Sequence, residues 1–246
     1  MESGLAIVPE GSTREETIAF LRAQMAEFST MNSASISAPS NAISATGAWE
    51  EILGSVGLPC HKVTQIEGSL QGLMGCIAGV SAADHTVALV GFPEASWSAA
   101  YELGAKLENL VWVPHPGPDC AGIAMVLATG FDLVVVDFSD VFLTPQKVQR
   151  YESKIRKVGG TLLVANCVWP QAAAHISTKF LEAEGMRQGY GRISTLTFQV
   201  EVRNKQRQCR AFQWTIGRPF YDVALPIQRA KPLHYQSQRV ALPHVV

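Results

Sequence analysis

From residue 60 onward the chain alternates between two kinds of segment, and this alternation restricts its fold more than any other feature. KVTQI, TVALVGF, NLVWV, LVVVDF and TLLVAN are short runs rich in β-branched residues. Between them lie GLMGCIAGV, EASWSAAYELGAKL, DCAGIAMVLATG and PQKVQRYESKIRKVG, all compatible with helices. Strands alternating with helices at this pitch form βαβ units, because parallel neighbours need a crossover and the helix supplies it. The expectation is an α/β fold, a mostly parallel sheet flanked by helices. LVVVDF lacks polar alternation before its acid, as a strand covered on both faces must. STLTFQVEV and CRAFQWTI instead alternate cleanly around the polar VRNKQRQ, which predicts an antiparallel C-terminal hairpin on one side of the sheet.

The two ends read differently. STREETIAFLRAQMAEF predicts an N-terminal amphipathic helix: Ser12 and Glu15 form a capping box, and Ile18, Leu21, Met25 and Phe28 share one face. That stripe can pack on its own core or dock on a partner or a second copy of the chain. A Ser/Ala-rich linker, residues 29–46, follows. After Gly217 the periodicity fades, and four prolines mark a flexible tail. The expected division is therefore residues 1–46 for helix and linker, 47–217 for the core and 218–246 for the tail. Of 20 basic and 21 acidic residues, eight basic ones and the single acid Asp222 fall in 203–246, giving that segment +7 and residues 1–202, with 12 basic and 20 acidic, −8. The cations are Arg203, Lys205, Arg207, Arg210, Arg218, Arg229, Lys231 and Arg239, and a basic end on an acidic body suggests a surface for a partner or for nucleic acid.

The five cysteines are widely spaced without a C-x-x-C pair, so neither a metal site nor a disulfide framework is expected, and no cofactor is called for. No apolar run approaches the roughly 18 residues that span a bilayer, and the N-terminus lacks the form of a signal peptide. The expectation is a cytoplasmic protein.

QIEGSLQGLMG, residues 65–75, stands where a nucleotide enzyme would carry its phosphate loop. Such a loop reads G-x-x-x-x-G-K-[ST], since the lysine meets the β- and γ-phosphates and the hydroxyl holds Mg²⁺. Gly68 and Gly72 remain, but Leu73 brings no charge, Met74 brings no Mg²⁺ ligand, and Glu67 would set a carboxylate beside the phosphates. Two other parts of an ATPase frame have candidates: Asp137 closing LVVVDF as the acid, and Asn166 closing TLLVAN as the polar sensor. Together these residues form a vestigial nucleotide site with no catalytic residue.

These segments, in order, resemble the RecA recombinase core. TGAWEEILGSVGLPCHKVTQIEGSLQG is similar to the T-G-x-x-x-L-D stretch and the G-L-P-x-G-R-I-V-E-I-x-G strand that precede that family's phosphate loop. YELGAKLENLVWV resembles K-L-G-V-D-x-x-N-L, FDLVVVDFSDVFLTP resembles D-x-I-V-V-D-S-x-x-x-L-x-P, and TLLVANCVWP resembles L-x-x-F-x-N-Q. STLTFQVEVR resembles the closing strand, and the order holds over residues 45–216. Departures accompany the likeness. Leu73 and Met74 replace the loop Lys and Thr, Cys167 replaces the sensor glutamine, and Glu94 falls one position late for the catalytic glutamate. The stretch after Asp137 is too short for the first DNA-binding loop.

The combination is most similar to the RecA-like mutasome accessory proteins of the ImuA family, in its actinobacterial branch. The resemblance implies a non-catalytic adaptor in damage-induced (SOS) mutagenesis and translesion DNA synthesis. Its implied partners are an ImuB-type Y-family polymerase homologue, met by the tail after residue 217, and an error-prone C-family polymerase. Alternatives are a SulA-like cell-division inhibitor and a residual ATP-binding, DNA-dependent NTPase.

Several features admit both sharp and plain readings. RNKQRQCR, residues 203–210, can neutralise phosphates of single-stranded DNA or can be a solvated turn. Trp169, Phe180 and Tyr190 fall in the segment corresponding to the second DNA loop of RecA; bases can stack on them, or they can pack inward. His61, His115 and Cys167 lack a catalytic partner in the sequence, which favours structural roles.

Overall fold

The computed structural model describes residues 6–7, 14–32, 42–54, 57–139, 141–187, 190–205, 209–217 and 229–233. The five β-branched runs form β4 (Val63–Gly68), β5 (Val87–Val90), β6 (Leu110–Val113), β7 (Leu133–Asp137) and β8 (Thr161–Ala165). The segments between them form α3 (Leu70–Ala82), α4 (Trp97–Glu102), α5 (Cys120–Leu127) and α6 (Pro145–Val158). Each helix starts where its sequence places a side-chain cap. Ser69, Ser96, Asp119 and Thr144 accept hydrogen bonds from the backbone N–H of Gly72, Ala99, Gly122 and Lys147, satisfying donors that a helix start leaves open. Gly159, at φ 79°, ends α6 in the left-handed conformation that glycine adopts without strain.

The main sheet has ten strands in the order β1-β6-β5-β7-β8-β4-β9-β10-β11-β12, where β1 is Ala6–Ile7, β9 is Ala174–Arg187, β10 is Tyr190–Asn204, β11 is Cys209–Gly217 and β12 is Arg229–Leu233. Pairing is parallel from β1 through β9 and antiparallel from β9 through β12. The chain is thus a mixed α/β protein with a mostly parallel sheet, flanking helices and an antiparallel hairpin. In β7, Leu133 and Val135 point into one core and Val134 and Val136 into the other. That is the physical content of an apolar run without alternation. One core packs α3, α4 and α2 (Ala48–Leu53) on the sheet; the other packs α5, α6 and α1 (Arg14–Asn32).

Several expectations are revised. Within the segment expected to correspond to the second DNA loop of RecA, around Phe180, lies the long strand β9, parallel to β4 and antiparallel to β10. Within the expected flexible tail, Arg229–Leu233 is a strand that closes one edge of the sheet, where Pro232 is tolerated because an edge needs no ladder donor there. Part of the expected linker is ordered as well. α1 runs on to Asn32, and β2 (Ala42–Ile43) pairs with β3 (Leu58–Pro59). Leu21 of α1 is fully buried, with Phe20 and Met25 packed beside it, so Leu21 and Met25 of the apolar stripe pack on the chain's own core, while the Phe28 side chain lies outside the described residues. Ser12 lies outside the described residues.

Candidate functional site

All five central parallel strands end at one edge of the sheet, and their order sets β4 beside β8 and β8 beside β7. In α/β sheets that edge is where ligands bind, and here it gathers Gly68, Asp137 and Asn166 of the expected vestigial nucleotide site. Asp137 ends β7, in register with Ala165 of β8, and Asn166 follows one residue on. The Asn166 Nδ2 donates to Asp137 Oδ1 at 3.1 Å, and the Ser139 backbone N–H donates to the same oxygen at 2.8 Å. Asn166 holds a left-handed φ of 55°, a conformation Asn tolerates better than most residues. The acid and the sensor candidate therefore meet, while Gly91 of the β5 end packs against the Asp137 Cβ.

The connection from β4 to α3 is different in kind from a phosphate loop. The strand ends at Gly68 and the helix begins at Leu70, so the turn is the single residue Ser69. Its hydroxyl accepts from Gly72 N–H at 3.2 Å, occupying a donor that would otherwise face a ligand. Thr178 of β9 closes the turn from above. Its Oγ1 accepts from Ser69 N–H at 2.8 Å and lies 3.1 Å from Ser69 Oγ, and its proton can reach the Glu67 carbonyl at 3.3 Å. Thr178 is 4% exposed, and a Cβ on Gly68 or Gly72 would run into it. Leu73 and Met74 are 3% and 2% exposed, part of the core under α3. The two glycines thus admit a neighbouring strand.

A shallow cleft of about 140 Å³ lies beside this turn, lined by Glu67, Leu73, Phe92, Glu94 and Asn166 among others, with no Lys or Arg among the described residues. Ligand cavities usually reach about 300 Å³ or more. Two carboxylates without a counter-cation oppose a polyphosphate. Among the described residues no group of three or more His, Cys, Asp or Glu side chains is placed to hold a metal ion, and no helix is long and apolar enough to cross a membrane. The half-buried Cys167 thiol is pushed up to about 11, first by burial and then by the Asp137 charge, so it is a poor nucleophile at neutral pH. His61 precedes β4 at the opposite edge, with Nδ1 2.5 Å from the Gly159 carbonyl oxygen, whereas His115 is exposed after β6. The two histidines share no site.

Of the basic stretch 203–210, Arg203, Lys205 and Arg210 sit at that opposite edge, because β10 runs antiparallel to β9. These three described cations have different surroundings. Arg203 pairs with Glu201 at 2.9 Å, and that hydrogen bond raises the guanidinium pKa further. The Arg210 guanidinium lies 5.1 Å from the Phe212 ring centroid and beside Gly54. Lys205 lines a separate cavity. Arg229 and Lys231 lie on β12, and Arg207, Arg218 and Arg239 lie outside the described residues. The stacking candidates also separate. Trp169 is fully buried, its ring N–H donating to Glu152 Oε1 at 3.0 Å, while Phe180 is half exposed with its edge toward Phe198; Tyr190 is described only as part of β10.

Ser69 and Thr178 were not legible as site residues. The signal for Thr178 is the alternation AHISTK, in which Ala174, Ile176 and Thr178 are buried and His175 and Lys179 exposed.

Residues 51–171, from α2 through β8 and including the β4–α3 turn, Asp137 and Asn166, match the family described as the MT3502 N-terminal domain. The chain is 32% identical over 159 residues to the uncharacterized protein Rv3395c of Mycobacterium tuberculosis (strain ATCC 25618 / H37Rv), an alignment covering 62% of this chain and 78% of that protein. The chain therefore belongs to the family of that mycobacterial protein.

Proposed function

We propose that this chain is a RecA-like, non-catalytic adaptor in damage-induced mutagenesis and translesion DNA synthesis. In this reading it binds an ImuB-type Y-family polymerase homologue and, with it, an error-prone C-family polymerase. The RecA-like part is supported by the sheet edge. An ATPase frame needs its first parallel strand, its acid-bearing strand and its sensor-bearing strand side by side, and β4, β7 and β8 end together there. The non-catalytic part rests on one observation, the one-residue β4–α3 turn under Thr178. Oxyanion cradling needs several free backbone N–H groups around the phosphate, and here the Ser69 N–H is given to Thr178 and the Gly72 N–H to Ser69. The same turn disfavours a residual NTPase. The pathway follows from the motif resemblance.

Calorimetric titration of Mg²⁺-ATP into the full chain, with and without single-stranded DNA, tests the first half. The expected result is no saturable heat up to millimolar nucleotide, and saturable micromolar binding overturns the reading. Size-exclusion chromatography with a purified ImuB-type homologue tests the second half. Co-elution is expected, and separate elution of both full-length proteins refutes the adaptor assignment.

A further inference from the structure

At the sheet edge opposite Asp137 and Asn166, a cavity of about 310 Å³ opens between the start of β4, α6 and the turn after β10. Three cations reach it from three separate elements: Lys62 just before β4, Arg156 on α6 and Lys205 after β10. All three are exposed. Among the described residues none has a carboxylate within ion-pair distance. One acid, Glu152, is on the wall and accepts the Trp169 ring N–H at 3.0 Å, so the lining carries three cations against one carboxylate. Val63 and Ile155 are buried in the wall, and the partly buried Ala173 supplies apolar surface at the same place.

Cations converging from three sides on one concavity suit a compact anion, whereas a nucleic-acid backbone needs cations spread along a track. Among the described residues no Phe, Tyr or Trp ring lines the cavity, and the His61 imidazole is the one ring there, a poor platform for successive stacked bases. Apolar surface next to the cations suits a ligand with an anionic head beside an aliphatic group. We propose that this cavity docks an acidic peptide segment of a partner protein, a Glu or Asp carboxylate lying among Lys62, Arg156 and Lys205 with an aliphatic neighbour on the apolar lining at Ala173. This goes beyond the adaptor reading and stands on the other edge of the sheet, independent of the nucleotide site.

Fluorescence anisotropy of the full chain with fluorescein-labelled short peptides, each carrying one Glu beside a Leu, tests the proposal. Saturable binding is expected, weaker at high salt and weaker by about tenfold in K62E/R156E, where attraction becomes repulsion on two sides. Lys205→Glu should weaken it as well, and Asp137→Ala, at the far edge, should leave it unchanged. Because all three cations are exposed, these variants are expected to melt with the wild type, and that is checked by circular dichroism. Equal peptide affinity in the wild type and K62E/R156E overturns the proposal, as does absence of saturable binding. So does labelled oligothymidylate losing affinity in these variants while the peptide does not.

Discussion

Replacing Thr178 by Val tests whether β9 closes the β4–α3 turn as a working contact or merely passes over it. Valine keeps the shape and removes the hydroxyl. In the wild type that hydroxyl accepts from Ser69 N–H at 2.8 Å and has one proton to give to Ser69 Oγ, the Glu67 carbonyl or the Ser69 carbonyl, at 3.1, 3.3 and 3.4 Å. At 4% exposure no water replaces it readily. Two hydrogen bonds at about 1 kcal/mol each are lost, and Ser69 N–H keeps only the Thr178 carbonyl at 3.3 Å, so the expected cost is about 1–3 kcal/mol. For a chain of this size that lowers the melting temperature by about 3–10 °C. Ser69→Ala, which removes the helix cap, should cost about 1 kcal/mol on its own. Since the two side chains share one network, the double variant should fall short of the sum by about 0.5 kcal/mol or more. Differential scanning calorimetry of the four proteins reads all of this. An unchanged melting temperature for Thr178→Val, with strictly additive effects in the double variant, would refute the clamp.

Gly75→Ala should destabilise by about 1–3 kcal/mol despite the better helix propensity of Ala, because the new Cβ would meet Trp49 Nε1 at 2.5 Å and Trp214 Cη2 at 2.6 Å, both in fully buried rings; a chemical-denaturation midpoint at or above wild type sinks this. Leu21→Ala should cost about 2–4 kcal/mol, as a fully buried side chain of α1 that packs on α5 and its core, and a change within 0.5 kcal/mol would mean that α1 is not part of the fold in solution. Burial pushes the Cys76 thiol up to about 12 from the ordinary 9.0. The folded value exceeds the unfolded one, so this contribution is intact below pH 9 and is lost as pH rises towards 12. Cys76→Ala should therefore show a shallower alkaline loss of stability than wild type. In thiol-labelling mass spectrometry near pH 8 the exposed Cys209 should react first and Cys76 last.

The parallel sheet is legible in the sequence because each strand buried on both faces must be an uninterrupted apolar run, and LVVVDF or TLLVAN can hardly be anything else. The meeting of Asp137 and Asn166 is legible for a related reason: residues that close parallel strands share an edge, and adjacency of β7 and β8 brings the two into contact. β9 escapes because only its first half, Ala174–Thr178, alternates under cover. From Phe180 onward it is exposed at Phe180, Leu181, Glu182, Glu184 and Met186, so burial imposes no period, and KFLEAEGM looks like a helix or a loop. That omission conceals the strand that covers the β4–α3 turn. The absence of a lysine after Gly72 is visible at Leu73, yet it leaves open whether the backbone N–H groups of the turn face a ligand. What occupies the Ser69 N–H is a hydrogen bond to Thr178, 109 positions away, which no local pattern encodes. Local sequence can thus record which side chain stands at a position, while what its backbone is free to bind depends on which strand the sheet lays across it.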